Sequence, residues 1–304
     1  MKILSPLTGS DRIKHEKTIS CTWLVERYLA LFQVDTRPYF GGLSSIDLYC
    51  CLESGYRFYY PFNISGDGSF YQGLSRQPWY YMDWKWEHKV ALKLVKHGMH
   101  VLEVGCGKGG FVDAVNRSGG NGVGLELNQE QVENGRSRGL KLLPELIEKH
   151  AVANAAKYDV VCAFQVMEHI CQVKDFLLSC LAVLKPGGRL IVSVPNNDAF
   201  VNKGDDDPVL NMPPHHMGLW DSNALVSLGR FFPLRIDGLE LEPLQDYHHA
   251  WAAQMALKLA AKELGPEAEM IISRQTDFFA ALMLSILKII PGHTILAHYT
   301  YQPA

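Results

Sequence analysis

The sequence lacks the features of several common functional classes. It has no block of lysine and arginine, and its formal net charge is −3, so it does not form the basic surface that nucleic-acid binding usually needs. None of its seven cysteines stands in a C-x-x-C pair, which favours reduced thiols in a cytoplasmic protein over a cysteine zinc site. We therefore expect a cytoplasmic protein with no nucleic-acid partner.

Long apolar runs are also absent. The stretch "MKILSPLTGSDRIKHEK" has no apolar core of the kind found in a signal peptide. The longest apolar run near the C-terminus, "FFAALMLSIL", is shorter than the roughly 18 residues that a membrane span needs. The segment 278–290 fits either a homodimer contact or a peripheral contact with a membrane surface. Its single close lysine, Lys288, favours packing on protein.

The composition and the apolar pattern of the sequence change three times along its 304 residues. Residues 1–85 include most of a dense aromatic belt and predict an accessory region. Residues 86–245 alternate short β-branched runs with helical patterns, which is typical of βαβ units and a parallel sheet. Residues 246–290 predict a helical insertion, and 291–304 a final strand that completes the sheet. The aromatic belt fits either a packed core or a stacking surface for a sugar or a base.

Apolar runs and turn residues place the elements of the middle segment. Asn128 with Gln131 three residues later predicts the start of a helix, and Gly139 its end. A helix around 173–184 should end at "KPGG". We expect strands at 100–104, 122–127, 140–143, 158–164, 189–194 and 293–301.

A glycine-rich turn follows the first of these strands, in "VLEVGCGKGGF". Gly105, Gly107 and Gly110 complete the pattern G-x-G-x-x-G, which alone is weak evidence for any one nucleotide. Glu126 suits the ribose hydroxyls of NAD and of other adenosine cofactors alike. Glu103 distinguishes NAD from adenosine cofactors that lack a pyrophosphate. Its carboxylate would repel a pyrophosphate by about 4 kcal/mol at about 4 Å and an effective dielectric constant of about 20. The two acids therefore favour a cationic adenosine ligand.

The strings "VLEVGCGKGGF", "GLELN", "YDVVCAFQVMEHI" and "LKPGGRLIVSVPN" together resemble the successive motifs of class I S-adenosylmethionine (SAM)-dependent methyltransferases. The resemblance implies a Rossmann-like α/β fold with a seven-stranded, mostly parallel sheet whose last strand is antiparallel. It also implies SAM as cofactor. Glu103, Gly105 and Gly107 would line its methionine part, Glu126 would bind both ribose hydroxyls, and Leu127 would pack on the adenine.

Three histidines are candidates for the catalytic base. By the same resemblance, Gln165 in "FQVMEH" would face the methionine or the acceptor, and His169 follows it at the start of the next helix. His215 and His216 lie in "NMPPHHMGLWD", which two prolines stiffen and Trp220 can anchor. O-methylation needs a group that accepts the hydroxyl proton, and a neutral histidine suits this role. Each of the three fits a structural role as well.

A narrower resemblance comes from "GYRFYYPFNISGDGSFYQGL", "WYYMDWKWEH" and "PPHH". They look like bacterial methyltransferases of surface-polysaccharide pathways, some of which begin with a zinc-binding C-P-x-C-G turn. Ser5 and Thr8 occupy the cysteine positions here, so we expect no zinc. The acidic loop "NKGDDDP" fits a Mg²⁺ site or a solvated loop, and solvation is commoner for consecutive aspartates. We therefore expect no metal.

The sequence as a whole predicts a SAM-dependent methyltransferase that methylates an oxygen of a small or sugar-type acceptor, such as a nucleotide- or lipid-linked sugar. Two alternatives stay open: N-methylation, and a methyltransferase fold that binds the cofactor without catalysis. A dinucleotide oxidoreductase is disfavoured by Glu103 and by the segment "FQVMEH".

Overall fold

A computed structural model describes the chain over residues 2–77, 82, 84–199, 208–275, 278 and 291–303. The acidic residues of "NKGDDDP" and nearly all of the apolar segment 278–290 lie outside this range. No helix in the described part of the chain has the length and apolarity required to cross a membrane.

Two sheets organise the described residues. The larger has seven strands in the order β10-β11-β8-β7-β4-β5-β6, and the smaller has four in the order β1-β2-β3-β9. Strands β4 to β8 pair in parallel, whereas β11 is antiparallel to β8 and β10. The strands are β1 (Ile13–Ser20), β2 (Ser45–Cys51), β3 (Arg57–Tyr60), β4 (His100–Val104), β5 (Asn121–Leu125), β6 (Leu142–Leu143), β7 (Tyr158–Phe164), β8 (Leu184–Pro195), β9 (Gly218–Leu219), β10 (Leu234–Pro243) and β11 (Pro291–Tyr301).

The seven-stranded sheet confirms the predicted fold class. Strands β4 and β7 have the predicted bounds, and nearly every residue of β7 is buried, as expected for a central parallel strand covered on both faces. Strand β5 ends at Leu125, two residues before the predicted end. Glu126 and Leu127 therefore lie just beyond the strand, at the edge where open α/β sheets bind ligands.

Helices cover both faces of the large sheet. Asn128 is the N-cap of α6, where its side chain accepts hydrogen bonds from the backbone N–H groups of Glu130 and Gln131, as predicted. The helices of the described residues are α1 (Cys21–Phe32), α2 (Arg37–Phe40), α3 (Gly68–Leu74), α4 (Trp86–Leu92), α5 (Gly110–Arg117), α6 (Gln129–Ser137), α7 (Ile147–Ala153), α8 (Val173–Val183), α9 (Ser222–Phe231), α10 (His249–Leu264) and α11 (Pro266–Arg274).

The small sheet combines the N-terminal region with a segment from the middle of the chain. Strand β9 pairs with β3, and Trp220 beside it is fully buried against Tyr56, with ring centroids 4.4 Å apart. Of the nine described rings of the aromatic belt (residues 56–86), four are buried: Tyr56, Phe58, Tyr59 and Phe70. These rings form a core, and Trp220 anchors the histidine-bearing segment as expected.

Candidate active site

The glycine turn after β4 adopts a backbone that few other residues tolerate. Gly105, Gly107 and Gly109 have φ values of +74°, +51° and +80°, in the left-handed region. A Cβ on Gly105 would come within 2.6 Å of the Val166 side chain, so this glycine also permits close packing. Around Gly107 no atom lies within 4 Å of such a Cβ, which leaves the backbone accessible to a ligand.

Glu126 holds the far side of this turn. Its Oε2 accepts a hydrogen bond from the Gly107 backbone N–H at 2.9 Å, and its Oε1 accepts one from the Asn128 N–H at 2.8 Å. Each carboxylate oxygen keeps a second lone pair, so Glu126 can also accept from two ribose hydroxyls. Leu127 beside it is 64% exposed, which suits the predicted apolar contact with adenine.

Glu103 is a buried acid with one carboxylate oxygen that accepts no hydrogen bond from the described residues. It is 4% exposed, and its Oε2 has no hydrogen-bond partner among the described residues. Burial, and then the charge of Glu126, raise the pKa of Glu103 well above its usual value. A cationic ligand with N–H donors would reverse both effects. The methionine ammonium of SAM has this chemistry, so the residues present fit SAM.

The structure brings the three predicted histidines together. The ring centroid of His169 lies 4.8 Å from that of His215 and 4.9 Å from that of His216, and the last two rings stack at 4.3 Å. The backbone N–H of Met217 donates to the Glu168 carbonyl at 2.7 Å and so links the two segments. His169 lies in a short 3-10 helix, Met167–His169, and the next α-helix begins only at Val173, which corrects the expectation that His169 starts that helix.

Each ring of this histidine cluster (His169, His215 and His216) is oriented through its Nδ1 atom. His169 Nδ1 donates to the His215 carbonyl at 2.7 Å, with the Tyr71 hydroxyl 3.2 Å away. His215 Nδ1 donates to the Leu210 carbonyl at 2.9 Å. His216 Nδ1 donates to the Asn211 side-chain oxygen at 3.1 Å. Because a neutral imidazole carries one proton, Nε2 is the basic nitrogen of each ring.

Burial keeps the histidine cluster neutral. It lowers the pKa of His169 to about 4 and that of His215 to about 3, and it lowers the pKa of His216 well below the usual value. Neighbouring rings add to the shift for His215 and His216. Neutral imidazole can accept a proton or bind a metal ion.

Two buried carboxylates near the histidine cluster were not predicted from the sequence as site residues. Glu168 is 1% exposed, its Oε2 has no partner among the described residues, and burial raises its pKa to about 8. Glu87, at the start of α4, is also 1% exposed, and its carboxyl group interacts with the Gln165 side chain. For Glu168 the signal in the sequence was a charged residue inside the otherwise uncharged stretch "QVMEHI", whereas Glu87 lies among charged residues in "DWKWEHK" and gave no such signal.

The glycine turn and the histidine cluster lie at the same edge of the large sheet. Strands β4 and β7 are parallel neighbours, and Gly105 after the first packs against Val166 after the second. Gln165 has a φ of +55°, and its backbone N–H donates to the Ser193 carbonyl on β8 at 2.9 Å. The segment 165–169 therefore connects the two halves of the site.

Comparison with known proteins agrees with this geometry. A family model described as a methyltransferase domain matches residues 79–235. The ubiquinone biosynthesis O-methyltransferase of Vibrio parahaemolyticus is 30% identical over 171 residues, which cover 49% of this chain and 70% of that protein. The enzyme of the same name from Vibrio vulnificus is 35% identical over 107 residues, covering 33% of this chain and 46% of that protein.

Among solved structures, a chain of the complex between the Haloferax volcanii Trm112 methyltransferase activator and a methyltransferase has a TM-score of 0.50 and 19% identity. The match covers 72% of this chain and 90% of that chain, and it supports the fold alone. The family model, by contrast, matches more than half of the 304 residues. The chain belongs to the methyltransferase-domain family, and it is a SAM-dependent methyltransferase.

Proposed function

We propose that this methyltransferase transfers the methyl group to an oxygen of a small hydroxylated acceptor. The observation that carries the proposal is the neutral histidine cluster beside the buried Glu168, at the sheet edge that also holds the glycine turn. An alcohol or phenol must lose its proton as it is methylated, whereas many amines react without help. A buried set of proton acceptors therefore favours an oxygen acceptor.

The chain's own residues account for the steps around the transfer. When bound, SAM supplies an activated methyl group on a sulfonium. Glu103 and the glycine turn hold the cofactor, and Gln165 orients it or the acceptor. The acceptor O–H bond breaks toward the ionised form of Glu168, which its raised pKa of about 8 makes a stronger base than a free glutamate, or toward a ring of the histidine cluster. The new O–CH₃ bond forms as the S–CH₃ bond breaks, and the sulfur keeps the electron pair. The protein contributes mainly positioning and exclusion of water.

The names of the relatives support oxygen as the acceptor atom, since both Vibrio proteins are named as O-methyltransferases of ubiquinone biosynthesis. Neither name supports a sugar-type acceptor or a surface-polysaccharide pathway. The sugar-type acceptor therefore stays a prediction from sequence resemblance, alongside phenolic acceptors.

A binding test comes first. SAM or its product S-adenosylhomocysteine (SAH), at about 100-fold excess over its dissociation constant, should stabilise the protein by roughly 2.7 kcal/mol in thermal unfolding, and NADH should not. Methyl transfer is then measured against a panel of phenols, nucleotide sugars, lipid-linked sugars and amines. Turnover with amines alone contradicts oxygen transfer. Stabilisation by SAH without turnover on any member favours the non-catalytic alternative.

A further inference from the structure

We propose that His169, His215 and His216 form a binding site for one divalent transition-metal ion with the ligand preference of zinc. One ring nitrogen from each residue lies within 4.8 Å of the corresponding nitrogens of the other two, all within the described part of the chain. Three imidazoles are a known ligand set for catalytic zinc. This proposal replaces the sequence expectation of no metal, which considered cysteine pairs and the acidic loop.

The distances between the ring nitrogens are near those of a tetrahedral site. A tetrahedral ion at about 2.0–2.1 Å from each nitrogen needs nitrogen–nitrogen separations of about 3.4 Å, so each pair closes by about 1.4 Å at most. A hydrogen bond of 2.7 Å from the Met217 N–H to the Glu168 carbonyl already links the segment that carries His169 to the segment that carries His215 and His216.

The hydrogen bonds of the rings match those of metal ligands. Metal-binding histidines usually donate from the nitrogen that does not bind the ion, most often to a carbonyl or carboxylate. Two rings of the histidine cluster donate Nδ1–H to backbone carbonyls, and His216 donates to the Asn211 amide oxygen. This pattern fixes Nε2 as the coordinating atom on all three rings.

Glu168 provides a second, independent observation. Its Oε1 lies 4.0 Å from His169 Nε2, and its Oε2 is buried without a hydrogen-bond partner in the described residues. A buried carboxylate oxygen without a partner is costly, and a cation beside it would offset that cost. Glu168 would then stand next to the ion and accept a hydrogen bond from a group that the ion binds.

The role of the ion rests on the proposed oxygen transfer. Three histidines leave one position of a tetrahedral ion for an acceptor oxygen, and coordination lowers the pKa of that hydroxyl. Its proton then passes to Glu168, and the oxygen attacks the methyl group. A single open position would favour acceptors with one acidic hydroxyl, such as a phenol.

The test measures metal binding rather than turnover. Protein stripped with a chelator is titrated with Co²⁺, followed by visible absorption, and with Zn²⁺ by calorimetry. We expect one ion per chain and the intense bands of four-coordinate Co²⁺, displaced by Zn²⁺. Mg²⁺ should not bind, because it prefers oxygen ligands.

Variants locate the ion. His169→Gln and His216→Gln should each weaken Zn²⁺ binding by more than about 100-fold, and Asn211→Ala by about 10- to 100-fold. His100→Ala removes an exposed histidine and should change nothing. SAH binding by each variant reports that it has folded, since no residue of the glycine turn is altered.

If the protein binds SAH but neither Co²⁺ nor Zn²⁺, the proposed metal site is wrong. Binding that survives in both His169→Gln and His216→Gln also overturns it, because the ion then lies elsewhere. An absence of turnover with metal bound tests only the proposed oxygen transfer and leaves the metal site standing.

Discussion

The site has a cofactor half, made of Glu103, the glycine turn and Glu126, and an acceptor half, made of the histidine cluster and Glu168, and their main polar groups are held by different contacts. In the cofactor half, Glu126 is held by two backbone N–H groups, whereas the buried Glu103 has one oxygen without a hydrogen-bond partner among the described residues. In the acceptor half, every ring of the histidine cluster is already oriented by a donated hydrogen bond.

We therefore expect the cofactor half to determine the affinity for the cofactor and the acceptor half to determine the rate of methyl transfer. Binding a cation at Glu103 removes a cost that the ligand-free protein carries, so the cofactor half gains stability when it is filled. The rings of the histidine cluster are oriented before any ligand arrives, as expected of groups that must act in the transition state. Substitutions in the two halves should therefore change different measured quantities.

The largest effect should come from the acceptor half. Glu168→Gln keeps the size of the side chain and removes its ability to accept a proton. We expect kcat to fall by about 10²- to 10⁴-fold with the acceptor found in the screen, while the SAH dissociation constant stays unchanged. Turnover is measured at saturating SAM, and SAH binding by calorimetry.

The matched control for this variant is Glu148→Gln, an exposed carboxylate on α7, which should leave kcat unchanged. Near-parental turnover of Glu168→Gln would exclude Glu168 as the proton acceptor. A loss of SAH affinity comparable to the loss in kcat would mean that the two halves are not separable.

The next effect belongs to the cofactor half. Glu126→Ala removes the acceptor of the Gly107 N–H and the predicted partner of the ribose hydroxyls. SAH binding should weaken by about 2–3 kcal/mol, which is about 30- to 150-fold in Kd. At saturating SAM, kcat should change little. Glu133→Gln, on the exposed face of α6, serves as the control, and equal affinity of Glu126→Ala and the parent protein would exclude Glu126 as the ribose acid.

Glu103→Gln should act on stability and affinity in opposite directions. The pKa of Glu103 is raised in the folded state, so the stability that it contributes is present below about pH 4.5 and is lost as the pH rises through the folded-state pKa. At neutral pH the ligand-free variant should therefore be more stable than the parent, by about 1–3 kcal/mol. SAH affinity should fall about tenfold or more, since the ammonium loses its anion.

Thermal unfolding of Glu103→Gln and the parent protein between pH 4 and pH 8 shows which of the two is more stable at each pH. The stability difference should grow as the pH rises. A variant that is less stable than the parent at pH 7 would show that Glu103 is paired in the ligand-free protein.

The smallest effect concerns the helix that carries the ribose side of the site. Asn128→Ala removes the side-chain cap of α6, which accepts from the Glu130 and Gln131 N–H groups. Denaturant unfolding should show a loss of about 1 kcal/mol. Asn128→Ser, which can still cap, should recover most of it; no loss in either variant would mean that the cap is dispensable.

The cofactor half was predictable because it is local. Glu103, the glycines, Glu126 and Leu127 fall within about 25 consecutive residues, and a strand, a turn and a helix bring them together without help from distant segments. The end of β5 was misplaced, since Leu127 prolongs the apolar pattern of "GVGLEL" past Glu126, whereas the strand stops at Leu125.

The acceptor half was predictable as a list of residues but not as an arrangement. His169 and His215 are 46 positions apart in sequence, and their contact depends on how β9 and Trp220 hold the intervening loop. Glu87 looks like a surface charge when it is read alone, yet both Glu87 and Glu168 are 1% exposed in the folded chain. Such burial is a property of the tertiary fold, which no local pattern encodes.

The two-residue strand β9 has a consequence for local unfolding. The Tyr59 N–H donates to the Met217 carbonyl, and a Cβ on Gly218 would come within 1.9 Å of the Tyr56 hydroxyl, so this part of the loop sits directly on the N-terminal sheet. Segments that pack so closely tend to open as one cooperative unit in hydrogen exchange. Slow amide exchange should therefore extend from β3 to Met217, and release of the N-terminal sheet should free the histidines while the glycine turn stays protected.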